Sequence, residues 1–110
     1  MYGVPANLDL SQFHGATLLQ IAAGQHDLQL RFESPLEIAI EGRWELRDPT
    51  GGITSSLDRL RRLAGGTIVS TRINAPRSIV LEFDGGASLE IYDSSTQYES
   101  FAIQPGNVIV

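Results

Sequence analysis

The side chains in this sequence with a capacity for chemistry are few and scattered. His14 and His26 are the only imidazoles, and Asp27 beside His26 makes at most the beginning of a weak metal site. A working site needs three or four converging ligands and partners that orient them, which two turn-flanking histidines do not supply. Glu37, Glu41 and Glu45 fall on one face of an alternating segment, a spacing that can support acid/base work. Arg43 and Arg47 interleave with them, so a solvated sheet face accounts for the same pattern without chemistry. Asp93-Ser94-Ser95 and Tyr98-Glu99-Ser100 concentrate hydroxyls and carboxylates near the C-terminus, as a polar pocket or as a turn with its capping network. No serine sits in a G-x-S-x-G elbow, so hydrolase chemistry has no positive support. Gly65-Gly66-Thr67 lacks the P-loop lysine and follows a helical pattern, so it reads as a helix stop rather than a phosphate loop.

Composition narrows the field further. With no cysteine there is no disulfide framework, thiol nucleophile or cysteine-bound metal. The formal charge is -5, from 13 acidic and 8 basic residues, all of the latter arginine. A polyanionic partner would be repelled on average, so no nucleic acid is expected. Arg59, Arg61 and Arg62 form the basic cluster of the sequence, and they read as complements to the negative end of a helix dipole. No run reaches the roughly 18 apolar residues of a membrane span, and residues 1–7 show no signal-peptide pattern, so the expected location is cytoplasmic, with no membrane partner. No cofactor and no metal are expected.

The elements that must position these groups repeat. Leu10-Ser11-Gln12-Phe13-His14-Gly15-Ala16-Thr17-Leu18 is answered by Leu60-Arg61-Arg62-Leu63-Ala64-Gly65-Gly66-Thr67-Ile68. Leu28 to Glu33 resembles Ile79 to Asp84, and Leu36-Glu37-Ile38 repeats as Leu89-Glu90-Ile91, with the offset drifting from 50 to 51 to 53 at the loops. Asn7 or Asp9 caps a short helical turn ended by Gly15, and Ser55 or Ser56 caps a helix carrying Leu57, Leu60, Leu63 and Ala64. Each is followed by three alternating segments: 17–22, 28–32 and 36–46 in the first copy, 68–73, 79–83 and 89–92 in the second. Trp44 shares the apolar face of the long strand with Leu36, Ile38, Ile40 and Leu46, which favours a core position over an interface anchor. Gly42 on that face marks a bulge or bend. The loops set Arg31 opposite Glu37 and Leu81 opposite Leu89, a register that keeps Glu82 away from Glu90. A last hairpin is expected around Gln104-Pro105-Gly106-Asn107, with 108–110 as the returning strand.

Phe13-x-Gly15, Leu28-x-Leu30-x-Phe32, Leu36-x-Ile38-x-Ile40-Glu41, Leu81-x-Phe83-x-x-Gly86, Leu89-x-Ile91-x-Asp93 and Tyr98-Glu99-Ser100-Phe101-x-Ile103 together resemble a family of small bacterial single-domain proteins of unknown function. The resemblance spans nearly the whole chain and implies a stand-alone bacterial cytoplasmic domain, with no catalytic residues to carry over.

The expected architecture is therefore a single α+β domain over residues 1–110, mostly β. Two pseudo-symmetric helix-plus-three-strand repeats, roughly 7–47 and 57–103, form one antiparallel sheet system or barrel with a short C-terminal hairpin. The reading leans away from an enzyme and toward a non-catalytic protein-interaction module, with a protein partner or a second copy of the chain in a homodimer. An immunity protein neutralising a toxin is one alternative. A small-ligand-binding protein or enzyme using the cluster from Asp93 to Ser100 is the other. Candidate binding residues are Trp44, Glu41, Arg43, Asp93, Tyr98 and Glu99; no catalytic residue is assigned.

Overall fold

Ten short strands fold into two antiparallel sheets in the computed structural model, which describes residues 4–25, 27–33, 35–93, 100–104 and 108–110. The strands are β1 Gln20–Ala23, β2 Leu28–Arg31, β3 Glu37–Ile40, β4 Trp44–Arg47, β5 Ile53–Thr54, β6 Ile68–Asn74, β7 Ser78–Phe83, β8 Ser88–Tyr92, β9 Phe101–Gln104 and β10 Val108–Ile109. Among the described residues, helix α1 covers Leu57–Arg61 and Ser11–Phe13 forms a 3-10 turn. The first sheet runs β1-β2-β3-β9-β10 and the second β5-β4-β8-β7-β6, and neither closes into a barrel. No described helix is long and apolar enough to cross a membrane.

Alternation decides which side of each strand is buried. Leu30, Ile38 and Ile103 from the first sheet meet Leu81, Leu89 and Ile91 from the second, all at most 1% exposed, within one core cluster. Phe13 adds an edge-on ring contact to Phe32, centroids 5.4 Å apart. Leu60 brings α1 onto the same core at 0% exposure, with Leu57 and Leu63 packed against it. Ser56 caps α1 as the sequence suggests, accepting from the Arg59 amide at 3.4 Å, but the helix ends at Arg61, short of the expected Ala64. The 3-10 turn starts from Leu10 with no side-chain cap, and Asp9, one residue earlier, accepts from the Ser11 amide at 2.9 Å.

The expected third strand, 36–46, is two strands in different sheets. β3 ends at Ile40, the chain bends through Glu41-Gly42-Arg43, and β4 begins at Trp44 against β8. Glu41 and Gly42 amides both donate to the Ser100 carbonyl, at 2.9 and 3.0 Å, so the bend is held by the start of β9. Three strands per half is thus an undercount. β4 and β5 leave the first half for the second sheet, whereas β9 and β10 make the opposite crossing. The local registers hold: Arg31 faces Glu37, Leu81 faces Leu89, and Glu82 faces Ser88.

The sheets are tied together by a short backbone ladder. Gly15 and Gly65 amides donate to the Ile68 and Leu18 carbonyls at 2.8 and 2.7 Å, and Leu18 and Ile68 amides donate to Gly66 and Ala16 at 2.9 and 2.8 Å. Thr17 and Thr67 form an antiparallel bridge at its centre, their hydroxyl oxygens 3.3 Å apart. Gly15 and Gly65 carry positive φ, 82° and 93°, with open space where a Cβ would stand. Gly15→Ala and Gly65→Ala should therefore each destabilise by about 1–2 kcal/mol from backbone conformation alone, read as a lower urea midpoint; an unchanged midpoint in both would contradict the assignment.

Candidate functional site

The outward faces of the two sheets differ. On the second sheet, parity sends Arg43, Glu45 and Arg47 of the β4 segment, Ser88, Glu90 and Tyr92 of β8, Ser78, Val80 and Glu82 of β7, and Ser70, Arg72 and Asn74 of β6 to the side away from the core. Register aligns them in rows. Arg72 faces Val80, Val80 faces Glu90, and Glu90 faces Glu45. The next row runs Asn74, Ser78, Tyr92.

Two carboxylates directly opposed across a strand pair repel each other, so Glu45 and Glu90 need compensation. It comes from four side chains. Arg43 Nη2 bonds Glu45 Oε2 at 2.5 Å, and its guanidinium carbon lies 4.5 Å from the Tyr92 ring centroid, stacked on the ring face. The Tyr92 hydroxyl donates to Glu45 Oε1 at 2.9 Å. Ser78 Oγ, fully buried, donates to Glu90 Oε2 at 2.5 Å, and Arg47 Nη2 lies 3.6 Å from Glu90 Oε1. Bonds from Arg43 and Tyr92 hold the Glu45 carboxyl below the usual range. Burial works to raise Glu90, but hydrogen bonding, that from Ser78 foremost, and the Arg47 charge outweigh it and leave it lowered too. Burial and then the two carboxylates push the Tyr92 phenol above its ordinary value.

Beside this network lies a polar trough of about 410 Å³ lined by Arg47, Arg72, Asn74, Arg77, Glu90 and Tyr92. Between the β6 and β8 residues of this lining, β7 carries the smaller Ser78 and Val80, both buried. Arg77 enters from the turn between β6 and β7. The guanidiniums of Arg72 and Arg77 make no hydrogen bond or ion pair with any described residue.

The residues singled out in the sequence are dispersed. Trp44 lies opposite Ile91, packs partly buried against the core, and with Glu41, Asp27 and Leu57 lines a separate open groove of about 280 Å³. Arg43 belongs to the Glu45–Tyr92 network. Asp93 Oδ1 accepts from the buried Ser100 hydroxyl at 2.9 Å, while Tyr98, Glu99 and His26 lie outside the described residues, as does the expected turn at 105–107. His14 is exposed and its Nε2 meets Thr71 Oγ1 at 2.9 Å. Glu37 and Glu41 do not share a face with Glu45, because the bend at Gly42 separates their strands. Among the described residues, no three of His, Asp and Glu gather as metal ligands.

Arg72, Asn74, Arg77, Ser78, Glu90 and Tyr92 are absent from the candidates that spacing suggests, apart from Glu90 as a register test. The signal was present in the alternation Ser70-x-Arg72-x-Asn74 and Ser88-x-Glu90-x-Tyr92. Each run alone reads as an ordinary solvated face, and only pairing through β7 brings them together.

Comparison of this chain with protein-family models, curated protein sequences and solved structures found no match.

Both glutamates are held more acidic in the folded chain than in the unfolded one. They stabilise the fold above the ordinary glutamate value of 4.5 and withdraw that contribution as pH falls through their lower folded values. Between about pH 6 and about pH 3 the urea midpoint should fall less steeply in Glu45→Gln/Glu90→Gln than in the wild type. Separately, Glu90→Ala leaves the buried Ser78 hydroxyl without its acceptor, and should cost about 1–3 kcal/mol at neutral pH, with Glu90→Gln costing less.

Proposed function

We propose that this protein is a non-catalytic interaction module built from two strand-exchanging halves, with the outer face of β4, β8, β7 and β6 as its recognition surface. A duplicated frame is supported by the matched strand orders, β1-β2-β3-β9-β10 and β6-β7-β8-β4-β5. Registers agree between them: Leu30 pairs with Ile38 as Leu81 pairs with Leu89, and Ile40 with Phe101 as Ile91 with Trp44. On that correspondence Ile38 matches Leu89, two positions away from the match suggested by the Leu-Glu-Ile repeat. The bonds of the Thr17–Thr67 ladder also come in exchanged pairs, and Glu33 and Asp84 accept from the Thr17 and Thr67 amides at 2.8 and 3.3 Å.

One difference between the halves carries the functional reading. The row Arg72, Val80, Glu90, Glu45 of the second sheet corresponds to Ala22, Gln29, Ala39, Ala102 in the first. Alanine suffices at these places for the frame, so a pair of opposed carboxylates and their cations are not required to make a sheet. Charged groups that the frame itself does not require point to recognition. Catalysis fits less well. Glu45 and Glu90 are both held ionised near neutrality, so the pair lacks the protonated member that acid/base cleavage between carboxyls uses.

A photocrosslinking side chain placed at Ser70, on this face, should capture a discrete protein adduct in the cells that make the protein, whereas one at the matched Gln20 should not. An adduct of twice the chain's mass identifies self-association. Equal capture from both positions, or none from Ser70, would remove the recognition face.

A further inference from the structure

We infer that the trough over β7 is an oxyanion site that takes a side-chain carboxylate from an acidic segment of a partner protein; this rests on the interaction reading of the same face. Three of the chain's eight arginines come to it from three separate elements: Arg47 from β4, Arg72 from β6 and Arg77 from the following turn. Against them the lining sets a single carboxylate, Glu90. That carboxylate is already engaged, by Ser78 at 2.5 Å and by Arg47 at 3.6 Å. Two guanidiniums, Arg72 and Arg77, therefore stand at the trough without an ionic partner among the described residues. In a chain of net charge -5 this is a local surplus of positive charge against the overall sign.

The chemistry of the walls selects among anions. Guanidinium groups present planar paired donors that match a carboxylate, and Asn74 adds an amide at the rim. A polyphosphate backbone is disfavoured, because a strand laid across the face would meet Glu82, Glu90 and Glu45 on the same side of the sheet. A single carboxylate at the end of a side chain meets one glutamate of the lining, Glu90, which Ser78 and Arg47 already engage, and faces Arg72 and Arg77 across the trough. The β7 residues between these walls, Ser78 and Val80, are buried and uncharged, and the trough has room for such a side chain. Exposed charges are screened over about 8 Å at physiological salt, so the attraction is short-ranged and local placement outweighs the chain's net charge.

The test is an NMR titration of the whole chain with a blocked heptapeptide of alternating Glu and Gly, with its Gln counterpart, and with inorganic phosphate. The expected result is saturable shifts confined to Arg72, Asn74, Arg77 and Tyr92 with the Glu peptide and none with the Gln peptide. Arg72→Gln/Arg77→Gln should weaken binding about tenfold or more while leaving the urea midpoint unchanged, and Arg59→Gln/Arg62→Gln, which removes two arginines elsewhere, should leave binding intact. Absence of binding, equal binding by both peptides, or insensitivity to Arg72→Gln/Arg77→Gln would overturn the carboxylate site. Phosphate binding as strong as the peptide's would also overturn it, in favour of a free-phosphate site. Crosslinking from Ser70 without peptide binding would leave the recognition face standing and the carboxylate inference wrong.

Discussion

The backbone ladder between residues 15–18 and 65–68 is the constraint on which the rest of the structure depends. Its four hydrogen bonds join the segment entering the first sheet to the segment entering the second, and they fix where each sheet begins. The sequence prepares it in two ways. Gly15 and Gly65 accept positive φ without steric penalty, and threonines at its centre suit extended backbone. Once the two segments are paired, Leu18, Ile68 and Ala16 turn into the shared core, and the apolar faces of both sheets have one another to cover.

Strand exchange is the second consequence of that arrangement. A chain that ran straight from 36 to 46 would stay in one sheet and leave the other with three strands. The bend at Glu41-Gly42-Arg43 instead delivers β4 to the edge of β8, and Ser100 at the head of β9 anchors the bend by accepting two amides. Each sheet is then completed by strands from the other half of the chain. The crossing also sets the electrostatics. It lays Glu45 against Glu90, two groups 45 positions apart whose opposition no local pattern requires.

The response to that opposition organises the polar face. Arg43, Tyr92, Ser78 and Arg47 each direct a donor at one of the two carboxylates, and these bonds keep both carboxyls ionised despite partial burial. Because Arg43 and Arg47 are committed or partly committed to glutamates, the guanidiniums of Arg72 and Arg77 are left without an ionic partner among the described residues. An ion-pair network thus leaves a polarised trough beside it, with a carboxylate wall on the β8 side and guanidiniums on the β6 side.

Much of the local structure was legible from the residues alone, and the reason is short range. Capping by Ser56, the burial of alternate residues and the pairings of Arg31 with Glu37 and Leu81 with Leu89 all depend on neighbours within a hairpin or a helical turn. The split at Gly42 was visible only as a mark on an otherwise continuous alternation, because period-2 patterning is blind to which sheet a strand joins. Charge was misleading in the same way. Arg59, Arg61 and Arg62 stand together in sequence, whereas Arg47, Arg72 and Arg77 converge only through β-sheet pairing. By itself the sequence determined strand propensity, hairpin registers, the start of α1 and the residues available for a core. The tertiary structure alone decided which strands exchange and which charges meet, because both follow from contacts between segments tens of residues apart, where packing rather than local geometry fixes the partner.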